Sequence, residues 1–228
     1  MTLKEDQRKI IRHIKGLDKK GNHVIINIIN EMGDQLGNLT PICCNLANNP
    51  QIIKSLVLWR QRYMEFFFTQ FHATFDRTKK WLDNYVIPDD TKILFLVCSN
   101  DGKLLGNIGV CNITNKYGEL DNVIRGEKVS IHSLFYYSTL TLICWLYNKL
   151  CLDTLSLYVL SNNSKAISLY ERIGFIKYNF YKLTKITTEN EIKYVIDFNK
   201  VPLENEIGCI KMVLQKNKFY SLAPWLIT

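Results

Sequence analysis

The sequence predicts an α/β protein: a mixed, mostly antiparallel, twisted sheet flanked by helices. Three observations lead there. Between Gly118 and Phe175 the apolar pattern runs at period 2, then as one long continuous segment, then as a compact run, then at helical spacing. That succession reads as strand, helix, strand, helix. Upstream, the apolar runs Ile93–Cys98 and Leu104–Cys111 flank Ser99-Asn100-Asp101-Gly102-Lys103, and Asp-Gly between two such runs signals a hairpin. Finally, 228 residues at 47% hydrophobic content suffice to bury one sizeable core.

Taken in order, Leu3, Ile10, Ile11, Ile14 and Leu17 share one helical face, with basic residues mostly elsewhere. Gly16 and Gly21 bracket the end of that helix, and His23–Ile29 is β-branched enough for a strand. These elements form an N-terminal extension, residues 1–37, ahead of a domain over 38–228. Leu39–Cys44 supplies the first strand of that domain. Asn48-Asn49-Pro50 starts a helix predicted over Gln51–Phe68, and Thr74 caps a second helix that carries Trp81 and Leu82. The hairpin follows; Gly106 and Gly109 in its second arm mark a bulge or a close approach. Glu119–Arg125 is a strand, Ser133–Leu150 a buried helix, and Leu155–Leu160 a buried strand. Asn162-Asn163-Ser164 then turns into a short helix closed by Gly174. Tyr178–Lys185, Ile192–Ile196 and Ile207–Leu214 read as the remaining strands.

Composition narrows the function. A formal charge of +8 suits a protein that handles polyanions. No base-reading motif accompanies the charge, so no nucleic-acid partner is expected. Seven cysteines, an odd number without a C-x-x-C pair, read as reduced thiols in a cytoplasmic protein, and no metal-ligand spacing is present. The long apolar segment is interrupted by serines, threonines and tyrosines, so no membrane span is expected, and no secretory leader opens the chain.

The spacing Asn163-x-x-Ala166-x-x-Leu169-Tyr170-x-x-x-Gly174-Phe175 resembles the closing motif of the GNAT acetyltransferases. The likeness extends back to about Leu58. Trp59-Arg60, Thr74–Trp81, LLGNIGV and ELDNVIRGE are similar to GNAT domains that acetylate nucleotide-linked amino sugars. The resemblance implies the GNAT fold and acetyl-CoA as cosubstrate. It also implies a small amino-sugar nucleotide as acceptor, and it leaves room for a homodimer. Two other readings stay open: a protein or peptide amine as acceptor, as in ribosomal-protein acetyltransferases, and a GNAT protein that binds CoA without catalysis.

The resemblance also assigns residues. The main chain of Asn122, Val123 and Ile124 would hold the pantetheine arm and the thioester carbonyl. The turn into the apolar helix, Lys128, Val129, Ser130, His132, Ser133 and Leu134, would take the pyrophosphate on free backbone N–H groups. This turn departs from the family pattern, which carries glycines where this chain has only Gly126. Asn163 and Ala166 would line the CoA arm, and Tyr170 would protonate the departing thiolate. Glu119 and Asp121, two apart on one strand, share a face, and either can act as general base, with His72 as a rival. Trp59, Arg60, His72, Thr74 and Arg77 are the candidate acceptor-side residues. Each has a packing or pairing alternative; for Trp59 that alternative is the core.

Overall fold

The computed structural model describes residues 2–18, 24–128, 131 and 133–226. The chain opens with α1 (Glu5–Ile14), β1 (Ile26–Ile29) and β2 (Gln35–Pro41). There follow α2 (Pro50–Arg62), β3 (Thr69–Phe71), α3 (Phe75–Trp81), β4 (Ile93–Cys98), β5 (Leu104–Cys111) and β6 (Tyr117–Arg125). It continues through α4 (Leu134–Lys149), β7 (Thr154–Leu160), α5 (Ser164–Ile173), β8 (Ile176–Thr187), β9 (Glu191–Asp197), β10 (Gly208–Gln215) and α6 (Lys216–Leu222). Among the described residues, ten strands form one sheet in the order β1-β2-β4-β5-β6-β7-β10-β8-β9-β3. Only β6 and β7 pair in parallel, as a strand–helix–strand crossover through α4 requires.

The sheet is covered on both faces, and β4 records this in its alternation. Ile93, Phe95 and Val97 join the cluster built with α1, α4, α5 and α6. Leu94, Leu96 and Cys98 join the cluster under α2. The hairpin from β4 to β5 turns on Gly102 at φ 82°, a conformation that glycine adopts without steric cost.

Two predicted elements differ in extent. The helix expected over Gln51–Phe68 ends at Arg62; a 3₁₀ turn follows at Met64–Phe66, and then β3. The aromatic run there pairs with β9, Thr69 opposite Lys193 and Phe71 opposite Glu191, because aromatic side chains suit a half-buried strand better than a continued helix. The first strand of the core is β2, which begins ahead of Leu39 and lies between β1 and β4.

The described residues of the N-terminal extension pack on this core. Ile11 and Ile14 are buried, and β1 and β2 straddle the division expected at residue 37. Lys15, 0% exposed, donates from Nζ to the carbonyls of Val86 (2.7 Å), Ile87 (3.3 Å) and Asp89 (2.6 Å). These carbonyls lie at and just beyond the π-helical turn, Leu82–Val86, that extends α3, where a helix end leaves acceptors unpaired. Burial lowers the Lys15 pKa to about 8, while Asp89 and Asp90 pull it back up. Gly21 and His23, expected at the end of α1 and the start of a strand, lie outside the described residues.

Candidate active site

β6 and β7 pair only through Tyr117–Thr154, Gly118–Leu155 and Glu119–Ser156. Past Glu119 the two strands part, and residues 120–125 face an opening with no partner strand on that side. On the other side β6 stays paired with β5, but with a bulge: Gly109 meets Asp121 and Asn107 meets Ile124, so two residues of β6 stand against one of β5. Asn122 turns the bulge at φ 49°. Side chains on Gly106 and Gly109 would collide with backbone, the first at 2.2 Å from Ile124 O and the second at 2.9 Å from Asp121 O. The two glycines therefore let β5 and β6 approach through the bulge, as their positions predicted.

Asn122 is less free than expected. Its N–H donates to Asp121 Oδ1 at 2.8 Å, and its carbonyl accepts from Asn107 Nδ2 at 2.5 Å. Val123 and Ile124, also expected to hold the thioester arm, lie past the last β6–β7 pair.

Leu120 faces the cluster under α4, so its neighbours Glu119 and Asp121 face the α2–α3 side together, as the two-residue spacing predicted. Glu119 sits opposite Cys111 and accepts from Tyr117 Oη at 3.3 Å. Burial is the main force raising its pKa, with Asn112 and Tyr117 opposing. Asp121 opens onto a cleft of about 300 Å³, partly open to solvent, that is also lined by Trp81, Val86, Lys92, Gly109 and Cys111. It is reachable from solvent yet surrounded by protein, and that desolvation raises its pKa against the pull of Arg60 and Lys92.

Tyr170 comes from α5 on the opposite face. Asn163 caps this helix by accepting from Ala166 N at 3.2 Å, and Gly174 ends it at φ 109°. Tyr170 is 7% exposed and packs edge-on against Phe175 at 5.9 Å between centroids. Burial, and then the charge of Asp121, push its pKa up. Asp121, on the other face of the sheet, is the one expected base whose charge adds to the rise of the Tyr170 pKa. His72 is exposed on the loop before α3, 3.4 Å from the Gln61 side-chain amide.

Of the pyrophosphate turn, Val129, Ser130 and His132 lie outside the described residues. Lys128 is exposed. Ser133 stands before α4 at φ 59°, its Oγ accepting from Arg172 at 3.3 Å, and the Leu134 side chain is buried, so that residue can offer a ligand only its backbone. The chain therefore supplies a helix N-terminus beside an unpaired strand edge, which fits an elongated ligand with an anionic end.

Of the residues expected on the acceptor side, Arg60 lies 3.5 Å above the Phe67 ring and donates to Thr69 O at 2.8 Å. Burial lowers its pKa to about 10. Arg77 lies 3.5 Å from the Phe71 ring and pairs with Glu191 of β9 at 2.8 Å. Thr74 spends its hydroxyl on capping α3. Trp59 corrects the acceptor-side expectation: at 1% exposed it has no surface for a ligand, and its indole N–H donates to Glu127 Oε1 at 2.8 Å.

Sequence reasoning missed Tyr117, Cys111, Lys92, Arg62 and Glu127. Tyr117 shares the period-2 face of Glu119 and Asp121, so strand alternation alone could have found it. Cys111 and Lys92 needed the β4–β5–β6 register, and Arg62 and Glu127 needed the packing of α2 on β6. Among the described residues, no group of three or more His, Cys, Asp or Glu side chains could hold a metal ion, and no helix is long and apolar enough to cross a membrane.

Residues 48–193 match the family described as acetyltransferase (GNAT) domain. A comparison with curated protein sequences found no match. Among solved structures, a GCN5-related N-acetyltransferase from Brucella melitensis is similar, with TM-score 0.60 at 14% identity over 90% of this chain and 86% of that one. Spermidine N-acetyltransferase from Vibrio cholerae, in complex with CoA and spermine, gives 0.57 at 18% identity over 79% and 96%. N-acetyltransferase PseH from Campylobacter jejuni gives 0.50 at 19% identity over 78% and 96%.

Proposed function

The chain belongs to the GNAT family of acetyl-CoA-dependent N-acetyltransferases, and on that premise we propose that its acceptor is the primary amine of an amino sugar linked to a nucleotide. The observation that carries this reading is the pair of guanidinium groups over aromatic rings, Arg60 on Phe67 and Arg77 on Phe71, each at 3.5 Å. Cations backed by aromatic faces suit a ligand with phosphates and a flat base. The resemblance of Trp59–Trp81 and Gly106–Glu127 to amino-sugar acetyltransferases points the same way.

In this reading the amine attacks the thioester carbonyl directly, with donor and acceptor bound together. Asp121, or Glu119 beside it, takes the amine proton; a carboxylate whose pKa is raised by the protein packed around it is better matched to that task near neutral pH. Tyr170 stays protonated because burial and Asp121 hold its pKa up, and it gives its proton to the thiolate. Seven unpaired cysteines suit a reducing, cytoplasmic setting.

The test is thiol release from acetyl-CoA with UDP- and dTDP-linked amino sugars, spermidine and a peptide amine. Turnover confined to a nucleotide-linked sugar supports the reading. Faster turnover with spermidine or peptide overturns the acceptor class while keeping the reaction.

A further inference from the structure

The segment that joins β6 to α4 has only one glycine, Gly126, and α2 holds its start from the side. Trp59 Nε1 donates to Glu127 Oε1 at 2.8 Å. Arg62, three residues further along the helix, donates through Nη1 to the Gly126 carbonyl and lies 3.8 Å from Glu127 Oε2. The Glu127 N–H is fixed in turn by Leu105 O at 2.9 Å. Trp59 is almost fully enclosed by the α2 cluster, so the carboxylate is gripped by a group that has no room to move. At the far end of the segment Arg172, stacked 4.0 Å over Tyr136, donates to Ser133 Oγ.

We propose that Glu127, held by Trp59 and Arg62, is a positioning residue for the acetyl donor. It fixes Gly126 and Glu127 at the end of β6, where their backbone would border the CoA pyrophosphate. Flexible glycine loops fold onto phosphates through their own backbone freedom. Here a rigid helix holds the start of the segment from outside. Because Arg60 projects from the same helix toward the acceptor side, α2 ties the two substrate halves to one element. The inference rests on the acetyl-CoA half of the reading above and is independent of the acceptor.

The experiment measures CoA affinity by titration calorimetry, and initial rates with acetyl-CoA and with S-acetylpantetheine, which lacks the pyrophosphate. Wild type is compared with Glu127→Leu and Glu127→Gln. Losing a charge-assisted hydrogen bond predicts about a tenfold weaker CoA affinity and a like rise in acetyl-CoA KM for the leucine variant. Glutamine, whose amide oxygen still accepts from Trp59, recovers most of it. kcat and the KM for S-acetylpantetheine stay at wild-type values. Should the leucine variant fail to fold, Arg62→Met, a change at a half-exposed side chain, gives a smaller shift in the same quantity. Unchanged CoA affinity, or an equal loss with S-acetylpantetheine, overturns the proposal. CoA titration needs no acceptor, so failure of every amine tested would sink only the sugar reading.

Discussion

The indole of Trp59 fills the space that a side chain on residue 126 would need: a Cβ there would come within 2.2–2.4 Å of three of its ring atoms. Because Trp59 is enclosed, the ring cannot step aside. Gly126→Ala is therefore expected to cost about 1–3 kcal/mol of stability by overpacking. It should also weaken CoA binding by moving the loop. Urea denaturation and calorimetric titration on the same variant check both.

Tyr170→Phe removes the hydroxyl and keeps the ring that packs on Phe175. The expected outcome is a fall in kcat of about 10²-fold with little change in acetyl-CoA KM, since general-acid catalysis contributes on that order. A kcat within twofold of wild type would rule out Tyr170 as the acid.

Asp121 carries a raised pKa, so its ionised form is depleted at a higher pH than an ordinary carboxylate would be. If it is the base, kcat/KM falls as pH drops through that raised value. In Asp121→Asn the rate is low throughout and this limb is absent. Glu119→Gln separates the pair: if the limb disappears there instead, Glu119 is the base. The pH profile of both variants decides it.

Lys15 has a folded pKa depressed to about 8 from the ordinary 10.5. Between those values the unfolded chain holds a proton that the folded chain has released, so stability rises with pH across the window and is lost as pH falls through about 8. The whole rise is on the order of 3 kcal/mol. Lys15→Met should lack it, and denaturation at pH 8, 9 and 10 compares the two slopes.

Arg60→Gln should raise the KM for an anionic acceptor about tenfold, the scale of a charge-assisted hydrogen bond, and leave the acetyl-CoA KM unchanged. A matching rise with an uncharged amine would show that Arg60 only supports Phe67 and Phe71. Steady-state kinetics with both acceptors are the readout.

The β4–β5 hairpin and the strand–helix–strand–helix segment were legible because their signals are local. Asp101-Gly102, the cap Asn163 and the terminator Gly174 each act within a few residues, and the period-2 run put Glu119 and Asp121 on one face. The end of α2 was not legible, because Phe66–Phe68 read as a continuation of the helix until β9, more than a hundred residues later, offers a strand for the neighbouring Thr69–Phe71 to pair with. Trp59 and Glu127 show the same limit: their contact spans 68 positions, and neither residue alone hints at it. Lys15 in the N-terminal helix region likewise reads as a surface charge until its three carbonyl partners are known.

The distribution of unpaired backbone in the sheet has a consequence for solution behaviour. Its two outer rims are the shortest strands available, four residues in β1 and three in β3. Such rims offer a neighbouring chain little to pair with, which discourages edge-to-edge aggregation. The longer open run, residues 120–125 of β6, lies inside the sheet, where a small elongated molecule can enter more readily than another strand. Free hydrogen-bonding capacity is thus withheld from other proteins and kept for a ligand.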